Sequence, residues 1–199
     1  MDAAGSVYAA LAHYGLLLKQ DKVIPSVVGL VTGESLRTSW WSHPKSHLIF
    51  RTLSELSDHP DVMFAKLLAG KDTLVHSSLW PALLAVGSAR AVWQLQGLSA
   101  PAAALLAQID RSAEGVHATG AACKELQARL LAAAHEIHGA DGRHEMVAER
   151  WSTWSGRANC SALTSLDEAH QMLEQAAAKL GAPAGWLPWR KRRSDSVRN

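Results

Sequence analysis

The chain has 199 residues, 48% of them hydrophobic and 19% charged, which suffices for one compact domain or two small ones with a real core. Lys plus Arg number 20 against 18 Asp plus Glu, and a net charge of +2 neither demands nor excludes nucleic acid. No run reaches the roughly 18 uncharged apolar residues of a membrane span. Asp2 in the opening Met1-Asp2-Ala3-Ala4-Gly5 argues against a secretory leader, and Cys123 and Cys160 are too few for a disulfide framework or a four-cysteine metal site. A cytoplasmic protein with no cofactor, no metal and no membrane contact is expected.

In chain order, Val7, Ala10, Leu11, Tyr14, Leu17 and Leu18 recur at helical spacing and predict an amphipathic helix over 3–19. Pro25 opens a short apolar run, Ser26 to Val31, that reads as helix or strand, and Gly33 ends it. A second helix should begin near Pro44, carry Leu48, Ile49, Leu53 and Leu56 on one face, and stop at His59-Pro60. Two apolar runs, 62–68 and 73–76, flank Ala69-Gly70-Lys71-Asp72 and predict a hairpin. Ser77 or Ser78 then caps a helix running from Leu79 to about Gln96.

The second half repeats the order loosely. Ser99 caps a helix with Pro101 in its first turn and Leu105, Leu106 and Ile109 on its core face, and Gly115 breaks it. A further helix is expected over 119–130. Residues 130–138 balance between helix and strand, and Asp141-Gly142 before the run 143–151 favours a hairpin. Ser165 to Leu180 reads as a closing amphipathic packing helix, and the run Arg190-Lys191-Arg192-Arg193 as a basic flexible tail.

Helix, helix and two-stranded wing is the order of a winged helix-turn-helix unit. Residues 99–151 fit it. Residues 42–76 fit a helix plus wing, with the preceding apolar segment as the missing helix. The expected fold is therefore α+β and mostly helical, with winged-helix-like halves at 1–97 and 98–157, a C-terminal helix and cap at 158–189, and the tail at 190–199. The duplication concerns element order alone, because no residue-level repeat is present.

Three stretches carry a resemblance: Arg37-Thr38-Ser39-Trp40-Trp41-Ser42-His43-Pro44-Lys45-Ser46-His47, Lys66 to Lys71 with Val75 to Pro81, and His135-Glu136-Ile137-His138 with Gly142-Arg143-His144. Over about residues 24–154 the chain resembles a group of small uncharacterised bacterial proteins, some labelled as related to the AlkZ/YcaQ-type DNA glycosylases. Its likeness to the characterised glycosylases is much weaker. Those enzymes are built from tandem winged helices and excise alkylated bases without metal, through a Gln-x-Gln or Gln-x-Asp motif near the N-terminus. Gln94-Leu95-Gln96 matches the letters but falls in mid-chain, and the chain is roughly half the glycosylase length. The resemblance implies winged helices and a DNA connection.

Candidate sites follow. Gln94 and Gln96 could orient a water and a flipped base, since carboxamides both donate and accept, although residues two apart on a helix do not share a face; the competing reading is a solvent-facing helix end. Trp40 and Trp41 with Arg37, His43, Lys45 and His47 combine stacking surfaces with phosphate-binding cations. The competing role for that stretch is loop anchoring, with one indole buried and a histidine capping a helix. Lys66 and Lys71 would form one wing tip and His138, Arg143 and His144 the other. His135, His138 and His144 lack the spacing of a zinc motif.

These readings lead to a DNA-binding protein whose partner is duplex or damaged DNA. The alternatives are a protein-interaction module, pairing with a protein partner or a second copy, and a reduced metal-independent glycosylase. Whether the chain is an enzyme stays open in the sequence.

Overall fold

The computed structural model describes residues 2–138 and 144–190. Helix α1 (Ala3–Tyr14) is capped by Asp2, whose Oδ1 accepts from the Gly5 N–H at 2.7 Å. It is five residues shorter at its C-terminal end than the periodicity predicts. Gly15 takes a left-handed conformation (φ 79°), and its N–H closes the helix on the Leu11 carbonyl. Strand β1 (Leu16–Leu18) follows, with all three leucines buried. Three consecutive leucines fit a helical stripe on paper, but both faces of this strand are covered, so no alternation marks it.

The ambiguous run is helix α2 (Val27–Thr32), with Ser26 Oγ accepting from Gly29 N and Gly33 ending it at φ 79°. A one-turn 3-10 helix (Trp40–Ser42) leads to α3 (Ser46–Ser57), which buries Ile49, Thr52, Leu53 and Leu56. Pro44 sits before α3 rather than inside its first turn. Strands β2 (Val62–Ala65) and β3 (Thr73–His76) form the expected hairpin, and the antiparallel sheet has the order β1-β3-β2, with Leu17 opposite Leu74 and Met63 opposite Val75. The connection between them folds inward, with Leu67 and Leu68 fully buried.

The single helix expected over 79–96 is interrupted. A 3-10 turn (Ser77–Leu79) feeds α4 (Trp80–Ser88), and a four-residue α5 (Val92–Leu95) follows a break. At the break Arg90 adopts φ 50°, off the helical path, while its guanidinium holds Asp110 at 2.5 Å. The second half contains α6 (Ala100–Arg111), capped by Ser99, then β4 (Val116–His117), α7 (Gly120–Ala128), β5 (Ala133–His138) and β6 (His144–Glu149). Its sheet is antiparallel in the order β4-β6-β5. Helix α7 stops two residues before Leu130, which has φ 53°, and Trp151 opens helix α8 (Trp151–Arg157) rather than ending a strand. The Asp141-Gly142 turn and the tail beyond Arg190 lie outside the described residues.

Two cores support these sheets. One gathers α1–α4 and β1–β3 with Trp151 and Trp154 of α8 and with Leu173, Ala177 and Leu180 of α9 (Leu166–Leu180). The other joins Ala102, Leu106 and Ile109 to Cys123, Leu126, Leu131, Ala132 and Ala148. Helix α9 is the packing helix anticipated, but its cover belongs to the first half, against α4, α1 and β1. The expected units at 98–157 and 158–189 therefore both contribute to the core of 1–97. Gly87 allows this at one point: a Cβ there would stand 2.4 Å from the Trp151 indole, whose Nε1 donates to the Leu130 carbonyl at 2.8 Å. No helix among the described residues is long and apolar enough to cross a membrane.

Candidate nucleic-acid interface

Between Ser35 and Ser54 the sequence holds Arg37, Lys45, Arg51, His43 and His47 and no Asp or Glu. The structure sorts these residues into two roles. Trp40 is 6% exposed and sits in the first core, whereas Trp41 is 64% exposed and stacks on it with ring centroids 4.0 Å apart and planes at 24°. Ser39 Oγ accepts from the Trp41 N–H, and the His43 N–H donates to the Trp40 carbonyl, so the turn itself orients the pair. Lys45 is turned to structural use: its Nζ donates to the Thr32 carbonyl at 3.1 Å, satisfying the C-terminal end of α2. His43 accepts the Lys45 N–H through Nδ1 at 3.0 Å, while its Nε2 lies 3.9 Å from Glu34. Arg37 and His47 remain exposed.

Two residues absent from the sequence-based selection complete the outer face of α3. His47, Phe50 and Arg51 are spaced i, i+3 and i+4, so they share a face opposite Ile49, Leu53 and Leu56. Phe50 is 47% exposed, with its ring 6.1 Å from that of Trp41. The signal was present in the sequence, since assigning the buried stripe of a helix also assigns its outer stripe. Arg51 Nε is 3.6 Å from Glu55, an exposed pair one turn apart, which marks the C-terminal limit of the basic face.

The first hairpin does not present free cations. Lys66 Nζ holds Asp72 at 2.6 Å. Lys71 Nζ holds Asp21 at 2.6 Å and lies 4.6 Å from the Trp186 ring centroid. Burial pushes the Asp21 carboxyl up. The hydrogen bonds from Lys71, Val23 N and Ile24 N outweigh that burial and hold the group below its ordinary value. In the second hairpin, β5 and β6 pair His138 with His144 across the strands, but Arg143 and the tip lie outside the described residues. Because β5 is a strand, the helical spacing that could bring His135 beside His138 is absent. His135 Nδ1 instead lies 3.2 Å from the fully buried Glu149, whose two oxygens accept from Arg157 at 2.5 and 2.7 Å. Burial pushes Glu149 up, and these hydrogen bonds more than reverse the effect.

Gln94 is 0% exposed and its carboxamide is fully engaged. Oε1 accepts from Ala91 N at 2.8 Å, and Nε2 donates to the carbonyls of Arg129 and Leu130 at 3.2 and 3.3 Å. Such a group is closed to a flipped base, and it is not the solvent-facing helix end that the sequence suggests. Gln96 is exposed, and its carbonyl accepts from Arg129 Nη1 at 2.8 Å. The Arg129 guanidinium also reaches the carbonyls of Trp93, Gln94 and Gly97, closing the end of α5.

At the far end of the chain an open groove of about 570 Å³ runs beside α9, between Trp93 and Trp189. Glu174, Trp189 and Arg190 are engaged with one another there, whereas His170 Nε2 is buried without a hydrogen-bond partner. Glu174 accepts from Trp189 Nε1 at 2.8 Å and from Arg190 Nε and Nη2 at 2.7 and 2.8 Å, and the His170 ring stacks on Trp189. The Arg190 hydrogen bond holds the Glu174 carboxyl down at about 2. Trp189 and Arg190 thus fasten residues 188–190 to α9, so Arg190, the first residue of the expected flexible tail, is instead held by Glu174. Comparison with protein-family models, with curated proteins and with solved structures finds no match to the chain.

Proposed function

We propose that the chain is a DNA-binding protein of tandem winged-helix type that meets DNA through the outer face of α3 and the loop leading into it. The element order α1-β1-α2-α3-β2-β3, with strand order β1-β3-β2, supports this reading, because it puts α3 where such units carry their recognition helix. The second half repeats the strand order as β4-β6-β5 around a reduced set of helices. The resemblance carried by Arg37 to His47 points the same way.

The observation that carries the proposal is the acid-free stretch 35–54, which exposes Arg37, Trp41, His47, Phe50 and Arg51 while Lys45 and His43 brace the turn behind them. Cations neutralise phosphates, and aromatic side chains exclude water or stack. The near-neutral whole chain is no obstacle, since the field that matters is local. No base-excision step forms part of this reading, because Gln94 is buried among main-chain partners.

The test is fluorescence anisotropy of a labelled duplex titrated at several salt concentrations. Affinity should fall with a log–log slope of about −0.9 per phosphate neutralised, and Arg51→Ala should make the slope shallower by about one. No binding at low salt overturns the proposal. One observation favours a second reading, a protein-interaction surface: Trp41 and Phe50 leave two adjacent aromatic rings in solvent. A concentration-dependent dimer in light scattering, without DNA affinity, would select it.

A further inference from the structure

The Trp40–Trp41 stack is an unusual way to present an indole. Trp40 is locked in the core, so the inner face of Trp41 is held at van der Waals distance by a fixed ring, while the residue as a whole stays mostly in solvent. Hydrogen bonds within the 3-10 turn, from Trp41 N to Ser39 Oγ and from Ser42 Oγ to the Ser39 carbonyl, fix the backbone beneath it. A side chain with so little rotational freedom loses little entropy when something settles on it. The open surface is aromatic and is bordered by Phe50 on α3. His47 and Arg51 share the outer face of α3 with Phe50, and Arg37 lies four residues before Trp41, in a stretch with no Asp or Glu before Glu55.

An intact duplex has nothing to lay on such a surface. Its base faces are covered by neighbouring bases, and its grooves offer edges and phosphates. An unpaired base presents a full π-face, and its flanking phosphates would meet Arg37 and Arg51 of the same acid-free stretch. Resting on the DNA-binding reading above, we infer that Trp41 is a stacking platform for an unpaired nucleobase. The α3 face then selects DNA with an exposed base, as in a single strand or a duplex with an extrahelical base, over fully paired DNA. Phe50 walls one side of that platform, and Arg37, His47 and Arg51 hold the strand that carries the base.

The probes are three labelled DNAs at low salt: oligo-dT, a fully paired duplex, and the same duplex with one bulged thymine. The wild-type protein should bind the bulged duplex and oligo-dT about tenfold more tightly than the paired duplex, the range expected for one base–aromatic stack. Trp41→Ala should cost the bulged probe about tenfold more than the paired one, and Trp41→Phe should restore most of the difference. Arg51→Ala should weaken all three probes by a similar factor, because it touches phosphate. An unchanged melting temperature verifies that the exposed Trp41→Ala substitution leaves the fold intact. Equal affinity for bulged and paired duplex, or an equal loss on both in Trp41→Ala, overturns the inference and leaves the DNA-binding reading standing. Absence of binding to every probe overturns both.

Discussion

Gln94 and Gly87 show how single residues tie the two halves together. The Gln94 carboxamide bridges the start of α5 to the carbonyls of Arg129 and Leu130, thirty-five and thirty-six positions away. Gln94→Ala takes away the partner of the Ala91 N–H and of the Arg129 carbonyl, and leaves the Leu130 carbonyl to Trp151 Nε1 alone, which should cost about 2–3 kcal/mol. The melting temperature should fall by roughly 5–10 °C. Gln96→Ala keeps the carbonyl that Arg129 holds and should move the melting point far less; equal shifts in circular-dichroism melts would refute the role given to Gln94. Gly87→Ala pushes a methyl into the Trp151 indole, and overpacking of this kind costs about 1–3 kcal/mol or more. A shifted tryptophan emission spectrum and an earlier thermal transition should accompany it, and wild-type values for both would show that the indole can move aside. Neither role was legible in the sequence. Periodicity carries one helix straight through Arg90 and puts Gln94 at its exposed end, whereas the left-handed backbone of Arg90 turns α5 inward.

Among the elements, those with chemical punctuation were legible. Ser99 caps the helix it precedes, α9 begins at the expected Ser165, Gly33 ends its segment, and the β2–β3 hairpin joins its two apolar runs, whereas 26–31 read as helix or strand until the Ser26 cap is seen in place. Strands β1 and β4 and helix α8 were missed. Three leucines in a row have no period, a two-residue strand has no pattern at all, and α8 is only seven residues long, with two buried indoles too few to show a period. Half of the candidate interface was legible: the sequence singles out Arg37 to His47, but separating the bracing Lys45 and His43 from the exposed Trp41 and His47 requires the turn. The junction of α9 with residues 189–190 gives a pH test. Hydrogen bonding by Arg190 lowers the Glu174 pKa from 4.5 to about 2. A carboxylate with a depressed folded-state pKa stabilises the fold above its ordinary value, and that stabilisation is lost as pH falls toward 2. Partial exposure screens the pair, so Glu174→Gln should lower stability near neutral pH by about 1 kcal/mol. The gap between wild type and variant should close as the melts are taken from pH 5 toward pH 2. A gap that stays constant across that range would refute the pairing.

At the scale of the whole molecule, the two cores do not coincide with two stretches of chain. Leu173, Ala177 and Leu180 of α9, with Trp151 and Trp154 of α8, complete the core that α1 begins. A chain ending after residue 157 therefore keeps its second core but loses one wall of the first, and it should melt broadly, without a cooperative transition. A sharp two-state melt of that fragment would show α9 to be an appendage. Lys179 Nζ donates to the carbonyl of His13, across 166 positions. For a ribosome this spacing is a delay. At about 5–20 residues per second, roughly ten to thirty seconds separate the emergence of α1 from that of the helix that covers it. Throughout that interval Leu16–Leu18 lack one of their covers, and the nascent chain offers a sticky strand to chaperones or to its neighbours on the same messenger.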